Sequence, residues 1–147
     1  MSKVTSGLDS RVLGYTTLRL AIGMAMLVHG AERLGHVAPF ANGVVKTFAT
    51  TWLPRPAVLG FAYLTPPVEL AIGLMVPPGL FTRLGLLCGG LWMVALIFGS
   101  TLIEQYETVG IQLVYALIFW VLLHFLEANV LSVDHLLGAL RRRSEVR

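Results

Sequence analysis

The sequence predicts an all-α integral membrane protein, a four-helix bundle with a short interfacial helix between helices 1 and 2. Three observations predict it. Of the 147 residues 56% are hydrophobic and only 13% charged, with a mean hydropathy of +0.76, against roughly 45–50% apolar and 25% charged in an average soluble domain. Four apolar runs, about 12–34, 56–76, 80–103 and 110–133, are each long enough to cross about 30 Å of hydrocarbon at 1.5 Å per residue. The breaks between the last three runs are only a few residues long, which makes those neighbours antiparallel. Four spans consume most of the chain, so residues 1–147 read as a single domain.

The start, Met1 to Ser10, is polar and lacks the charged, apolar and small-residue regions of a cleaved leader, so the first run is expected to be a retained helix. The connection from Gly35 to Arg55 carries Phe40, Val44, Val45, Phe48 and Trp52 at helical spacing. That pattern predicts a short helix in the membrane interface, which could cap the bundle or act as a lid over a lipid-facing entrance. Trp52-Leu-Pro-Arg-Pro56 stops it and starts the next helix, since proline is tolerated in a first turn. Pro77-Pro78-Gly79 and Glu104 to Thr108 form the two tight turns that follow, and a basic tail occupies 139–147.

Lys3, Arg11, Arg83, Arg141, Arg142, Arg143 and Arg147 fall on one side of this arrangement, against Arg33, Lys46 and Arg55 on the other. The seven-to-three bias predicts cytoplasmic N and C termini in a bacterial or archaeal inner membrane. It also explains the net charge of +3 as a topology signal, so no nucleic-acid partner is expected. The lone Cys88 excludes an intramolecular disulfide and a CxxC pair and reads as a small core residue. Neither His-x-x-x-His nor Glu-x-x-His spacing occurs, so no metal is expected. His29 and His124 belong near opposite faces, which disfavours a haem held by both. No phosphate loop, nucleophile elbow or dinucleotide fingerprint supports hydrolase or nucleotide chemistry.

The most informative residues are charges inside apolar runs. Arg19 and Glu69 each precede the same four letters, in Arg19-Leu-Ala-Ile-Gly23 and Glu69-Leu-Ala-Ile-Gly73. A charge at bilayer depth is costly unless paired or hydrated. Counting inward from the expected helix ends puts Arg19 and Glu69 level, roughly 10 Å deep, with Glu127 at similar depth, His124 one turn deeper and Arg83 one turn shallower. The expectation is a neutral polar layer with Arg19 paired to Glu69 and a second pair of Arg83 with Glu127. Arg19, Ile22, Gly23, Met26, His29, Gly30 and Arg33 share one stripe of the first helix, and Ala62, Thr65, Pro66, Glu69 and Gly73 one stripe of the second. Pro66-Pro67 frees carbonyls beside Glu69, while Gly85 and Gly89 form a GxxxG pattern. Within the layer Glu69 and His124 are the candidate catalytic groups, and Arg19, His29, Arg83 and Glu127 the candidate binding groups. A structural ion pair that locks helix register is the competing reading of the same charges.

Leu18-Arg19-Leu20 with Gly23, then His29-Gly30, Glu69 with Gly73, and Gly79-Leu-Phe-Thr82-Arg83 together resemble the DoxX family of small four-helix membrane proteins. The resemblance covers roughly Leu18 to Leu126. Glu32-Arg33 departs from the lysine-containing turn expected after His29-Gly30, with Arg33 keeping the charge. The resemblance implies a place beside redox chemistry, because the related DoxD proteins are the membrane subunit of a thiosulfate to quinone oxidoreductase. It implies quinone as a substrate, with no covalent or metal cofactor of the chain's own, and an oxidoreductase partner that supplies electrons. Trp92 and Trp120 are then either cleft-lining or lipid-facing. A non-enzymatic anchor that recruits a soluble redox partner through Arg141-Arg142-Arg143, a small-solute or proton carrier, and a homo-oligomer are the alternatives.

Overall fold

The computed structural model describes residues 9–145. Lys3 and Arg147, two of the charges behind the orientation expectation, lie outside them. Six α-helices follow in order: α1 (Ser10–Gly35), α2 (Val37–Thr47), α3 (Arg55–Met75), α4 (Thr82–Leu102), α5 (Tyr106–His124) and α6 (Val133–Glu145). A single 3-10 turn, Leu126–Ala128, precedes α6. α1, α3, α4 and α5 are long and apolar enough to cross a membrane, and α2 is the short helix between the first two spans.

Asp9 caps α1 by accepting from the Arg11 N–H at 3.2 Å, which satisfies one of the orphan donors of the first turn. α3 stays helical through Pro66 and Pro67. The carbonyls of Ala62 and Tyr63 therefore lose their intrahelical donors, because proline has no N–H to offer four residues on. The last turn of α4 is closed by hydrogen bonds from Glu104 N–H to the Thr101 carbonyl and from Gln105 N–H to the Ser100 carbonyl.

The bundle is assembled as two tight pairs, α1 on α3 and α4 on α5, which meet each other over smaller seams. Glycine sets the first seam. A Cβ on Gly30 would collide with the Leu70 backbone, and one on Gly73 with the backbone of Leu27. With no side chain at either position the two helix axes come closer than any Cβ would allow. Gly85 and Gly89 serve different partners: Gly85 faces Met75 and Val76 at the end of α3, while Gly89 receives the ring of Phe119 from α5. Between the pairs lies an apolar core of Ile22, Met26, Ile72, Val76, Leu86, Met93, Phe119 and Leu122, all nearly or fully buried.

Two features differ from the sequence expectation. The fourth span ends at His124 rather than Val133, and residues 139–145 of the expected basic tail belong to a capped helix. Phe125 to Val133 remains apolar, so hydropathy carries no stop; the chain turns because Ser132 caps α6 by accepting from the His135 N–H at 3.2 Å and Val133 donates to the Pro78 carbonyl at 3.0 Å. Cys88, read as a core residue, is exposed on the outer face of α4. Its neighbour Gly89 takes the inward position, where Phe119 leaves no room for a side chain.

Candidate functional site

The α1–α3 register decides which charges can meet. Gly30 lies against Leu70 and Gly73 against Leu27, so Glu69 faces the level of residue 31, about twelve residues or about 18 Å of helix from Arg19. The expected Arg19–Glu69 pair does not form. Counting from apolar-run ends failed because α1 begins at Ser10 and overshoots the end of α3, leaving Arg19 level with the turn that follows Met75. The two charges that precede the shared Leu-Ala-Ile-Gly thus lie in two separate polar layers.

The layer nearer the termini is a clasp. Arg19, 2% exposed, donates through Nη1 to Asn129 Oδ1 and through Nη2 to the Leu131 carbonyl at 2.7 Å. Asn129 Nδ2 donates to Thr82 Oγ1 at 2.9 Å, and Thr82 donates from its backbone N–H and its hydroxyl to Asp134 Oδ2 at 2.7 and 2.8 Å. Phe81 N–H donates to Asp134 Oδ1 at 2.8 Å. Asp134 therefore neutralises the first N–H groups of α4 from a distant part of the chain, and its charge faces the positive end of that helix. Gly79, at φ +69°, is held against Arg19 and Ser132 with no space for a Cβ.

Burial pushes the Asp134 carboxyl up, but the Thr82 and Phe81 hydrogen bonds and the nearby Arg19 charge outweigh it and hold the group below its ordinary value of 3.8. The folded state then binds fewer protons than the unfolded state near that value. The stabilisation is complete above pH 3.8 and is lost as pH falls through the lower folded value. Asp134→Asn is expected to flatten the acid limb of the stability curve below that point and to cost about 2 kcal/mol at neutral pH; acid titration of unfolding in detergent micelles checks both.

The second layer lies toward α2. Glu69, 3% exposed, receives Arg33 Nη1 on both carboxylate oxygens, and this is the one ion pair among the described residues. Arg33 is itself a third exposed and its guanidinium lies 5.1 Å from the Phe40 ring centre on α2, a cation–π contact that fixes the flat fork from its other face. His29 stands on the same side of α1 as Arg33. These groups form one wall of a cavity of about 800 Å³, whose remaining lining is mostly apolar and includes Met26, Phe48, Phe61, Ala62, Met93, Leu96 and Tyr115. Pro39, Phe40 and Val44 of α2, with Phe48 just beyond it, cover part of it. At a second polar point Gln112 Nε2 donates to Ser100 Oγ at 3.0 Å. Ala62, whose carbonyl Pro66 leaves without a helical donor, also lines the space.

Of the six candidate residues, only Glu69 and His29 reach this cavity. Arg19 belongs to the clasp. His124 is exposed at the end of α5, stacked on Trp120 at 5.2 Å and edge-on to Phe125 at 4.8 Å. Arg83 and Glu127 are both exposed and form no ion pair with each other. Their expected pairing assumed that the fourth helix continued to Val133, whereas Glu127 sits on the 3-10 turn beyond it. Neither Trp92 nor Trp120 lines the cavity, although Trp92 stacks at 5.0 Å on Phe61, which does. Sequence reasoning passed over Arg33, although it shared the stripe of Arg19 and His29. It gave no role to Asn129, Thr82 and Asp134; a Thr at a helix start with an Asp after an Asn and a Ser was the available signal. No group of three or more His, Cys, Asp or Glu placed to hold a metal occurs among the described residues.

Four spans, a partly covered apolar cavity and a buried ion pair in its wall define the class: a small multi-pass membrane protein with an intramembrane ligand-sized space. The DoxX family profile matches residues 14–101, more than half of the chain, and the chain belongs to the DoxX family. The match spans Arg19, His29, Arg33 and Glu69 and ends short of Gln112, Asn129 and Asp134. Neither the curated proteins nor the solved structures contain a match to this chain.

Proposed function

We propose that this chain is the membrane subunit or partner of an oxidoreductase and admits a quinone to the cavity beside α2. One observation carries the reading: a mostly apolar space of about 800 Å³ with a nearly buried carboxylate, clamped by an arginine, in its wall. An apolar body with a few convergent polar groups is what a membrane-soluble ring ligand requires. Arg33 is placed to donate to a ring oxygen, and Glu69 can hold or release a proton at that oxygen. His29, exposed beside them, gives the carboxyl a neighbour through which a proton can reach water. Electrons in this reading come from a partner or its substrate, since the sequence has no redox-cofactor motif. In this reading the α2 side faces away from the cytoplasm, as the charge bias predicts. The catalytic role expected of His124 does not join this mechanism, since His124 lies outside the cavity lining.

Trp92 supplies a reporter, because its ring stacks on the cavity-lining Phe61. Adding a short-chain ubiquinone analogue to the purified protein is expected to quench tryptophan emission saturably. Glu69→Gln is expected to weaken that binding at least tenfold while leaving the protein folded. Wild-type emission that does not respond, together with purified protein free of endogenous quinone, would sink the reading.

A further inference from the structure

We infer that α6 is a docking element for the anionic phospholipid headgroups of the leaflet on the Arg19 side of the bundle. At 100° per residue Val133, Leu136, Leu137 and Leu140 fall within an arc of about 100° on α6. Leu136, Leu137 and Leu140 are 60%, 45% and 53% exposed, so nothing among the described residues covers that stripe. Arg141 flanks it and Arg142 lies on the opposite side, both exposed. An apolar stripe bordered by arginine is the pattern of a helix that sinks its apolar face among acyl chains while its cations meet headgroup phosphates.

The position of the helix supports the same occupant. α6 is tied at its first turn to the end of the α3 span, by Val133 N–H to the Pro78 carbonyl and Asp134 N–H to the Gly79 carbonyl, both at 3.0 Å. The Asp134 bonds to Phe81 and Thr82 tie the same turn to the start of the α4 span. Both spans end or begin there, so α6 leaves the bundle at the height of the headgroups. Leucines exposed at that height meet lipid, whereas a soluble partner would have to cover them in competition with the bilayer. Charge complementarity then selects anionic over zwitterionic lipid.

The test uses the full chain with Cys88→Ser and Leu137→Cys, labelled at the new thiol with a polarity-sensitive dye and reconstituted in vesicles. In phosphatidylglycerol-containing vesicles the dye is expected to emit to the blue, and quenching by a headgroup-depth nitroxide lipid to be at least twice that in pure phosphatidylcholine. Raised salt should remove the difference. Arg141→Gln with Arg142→Gln should do the same, each lost charge weakening docking about fivefold. Equal emission and quenching in the two lipids overturns the proposal, and so does a dye that leaves water only when soluble cell extract is added, which would make the stripe a protein interface. If the Leu137 label prevents folding, the equally exposed Leu140 carries it. Quinone binding is read separately by tryptophan emission, so neither result stands in for the other.

Discussion

Arg33→Ala is expected to destabilise the protein by about 3–5 kcal/mol, the range for leaving one partner of a buried ion pair alone. Glu69 is 3% exposed and both its oxygens rest on Arg33 Nη1. The carbonyls that Pro66 and Pro67 free on α3 are acceptors and cannot replace the lost donor. Glu69→Ala should cost less, about 1–2 kcal/mol, because the arginine left behind is a third exposed and can turn toward water. The asymmetry itself is the prediction. Adding Glu69→Gln to Arg33→Ala should recover much of the loss, since the amide removes the stranded charge. Unfolding of the single and double variants in mild detergent measures the cycle. Exchanging the two, Arg33→Glu with Glu69→Arg, separates a site from a staple: recovered folding without quinone binding marks a functional orientation, and recovery of both makes the pair a register lock.

Gly30→Ala and Gly73→Ala should each cost about 3 kcal/mol, the upper end for overpacking, because the added methyl meets helix backbone rather than a side chain that can swing away. Their effects should fall short of additive. Once the first methyl has parted α1 from α3, the second finds room already made. Gly60→Ala, at a helical site with open space around it, is the control and should stabilise by about 0.5–1 kcal/mol. The parting also moves Arg33 off Glu69, since both lie within about one turn of the glycine seam. Quinone binding should therefore fall with stability in the two seam variants and stay unchanged in the control.

Hydropathy made the four spans legible, and helical spacing from Phe40 to Phe48 made α2 legible, because both depend only on local pattern. Glu69 was legible as well, since an acidic residue inside an apolar run advertises a polar environment. Its partner was not. Pairing across two helices depends on register, and register here is set by backbone contact at Gly30 and Gly73 rather than by the ends of apolar runs. The same glycines were visible on the stripes that carry Arg33 and Glu69, but two stripes of small residues can slide past each other until the packing is known. The early end of the fourth span was hidden for a different reason. Phe125, Leu126, Val130 and Leu131 continue the hydropathy of a helix while Asn129 and Asp134 reach back to Arg19 and Thr82, a long-range demand that no local pattern expresses.

The two polar layers have an energetic consequence. Ile22, Ile72, Val76, Leu86, Phe119 and Leu122 pack into one apolar core between the Arg19 clasp and the Glu69 wall, and such a core is a barrier to ions and protons. Under the proposed function, a proton taken up or released at Glu69 would therefore exchange with the aqueous phase on the α2 side. If the proposed quinone reaction also drew its electrons from that side, each turnover would move no net charge across the bilayer and conserve no energy as a membrane potential. Only electrons delivered from the clasp side would make the reaction electrogenic.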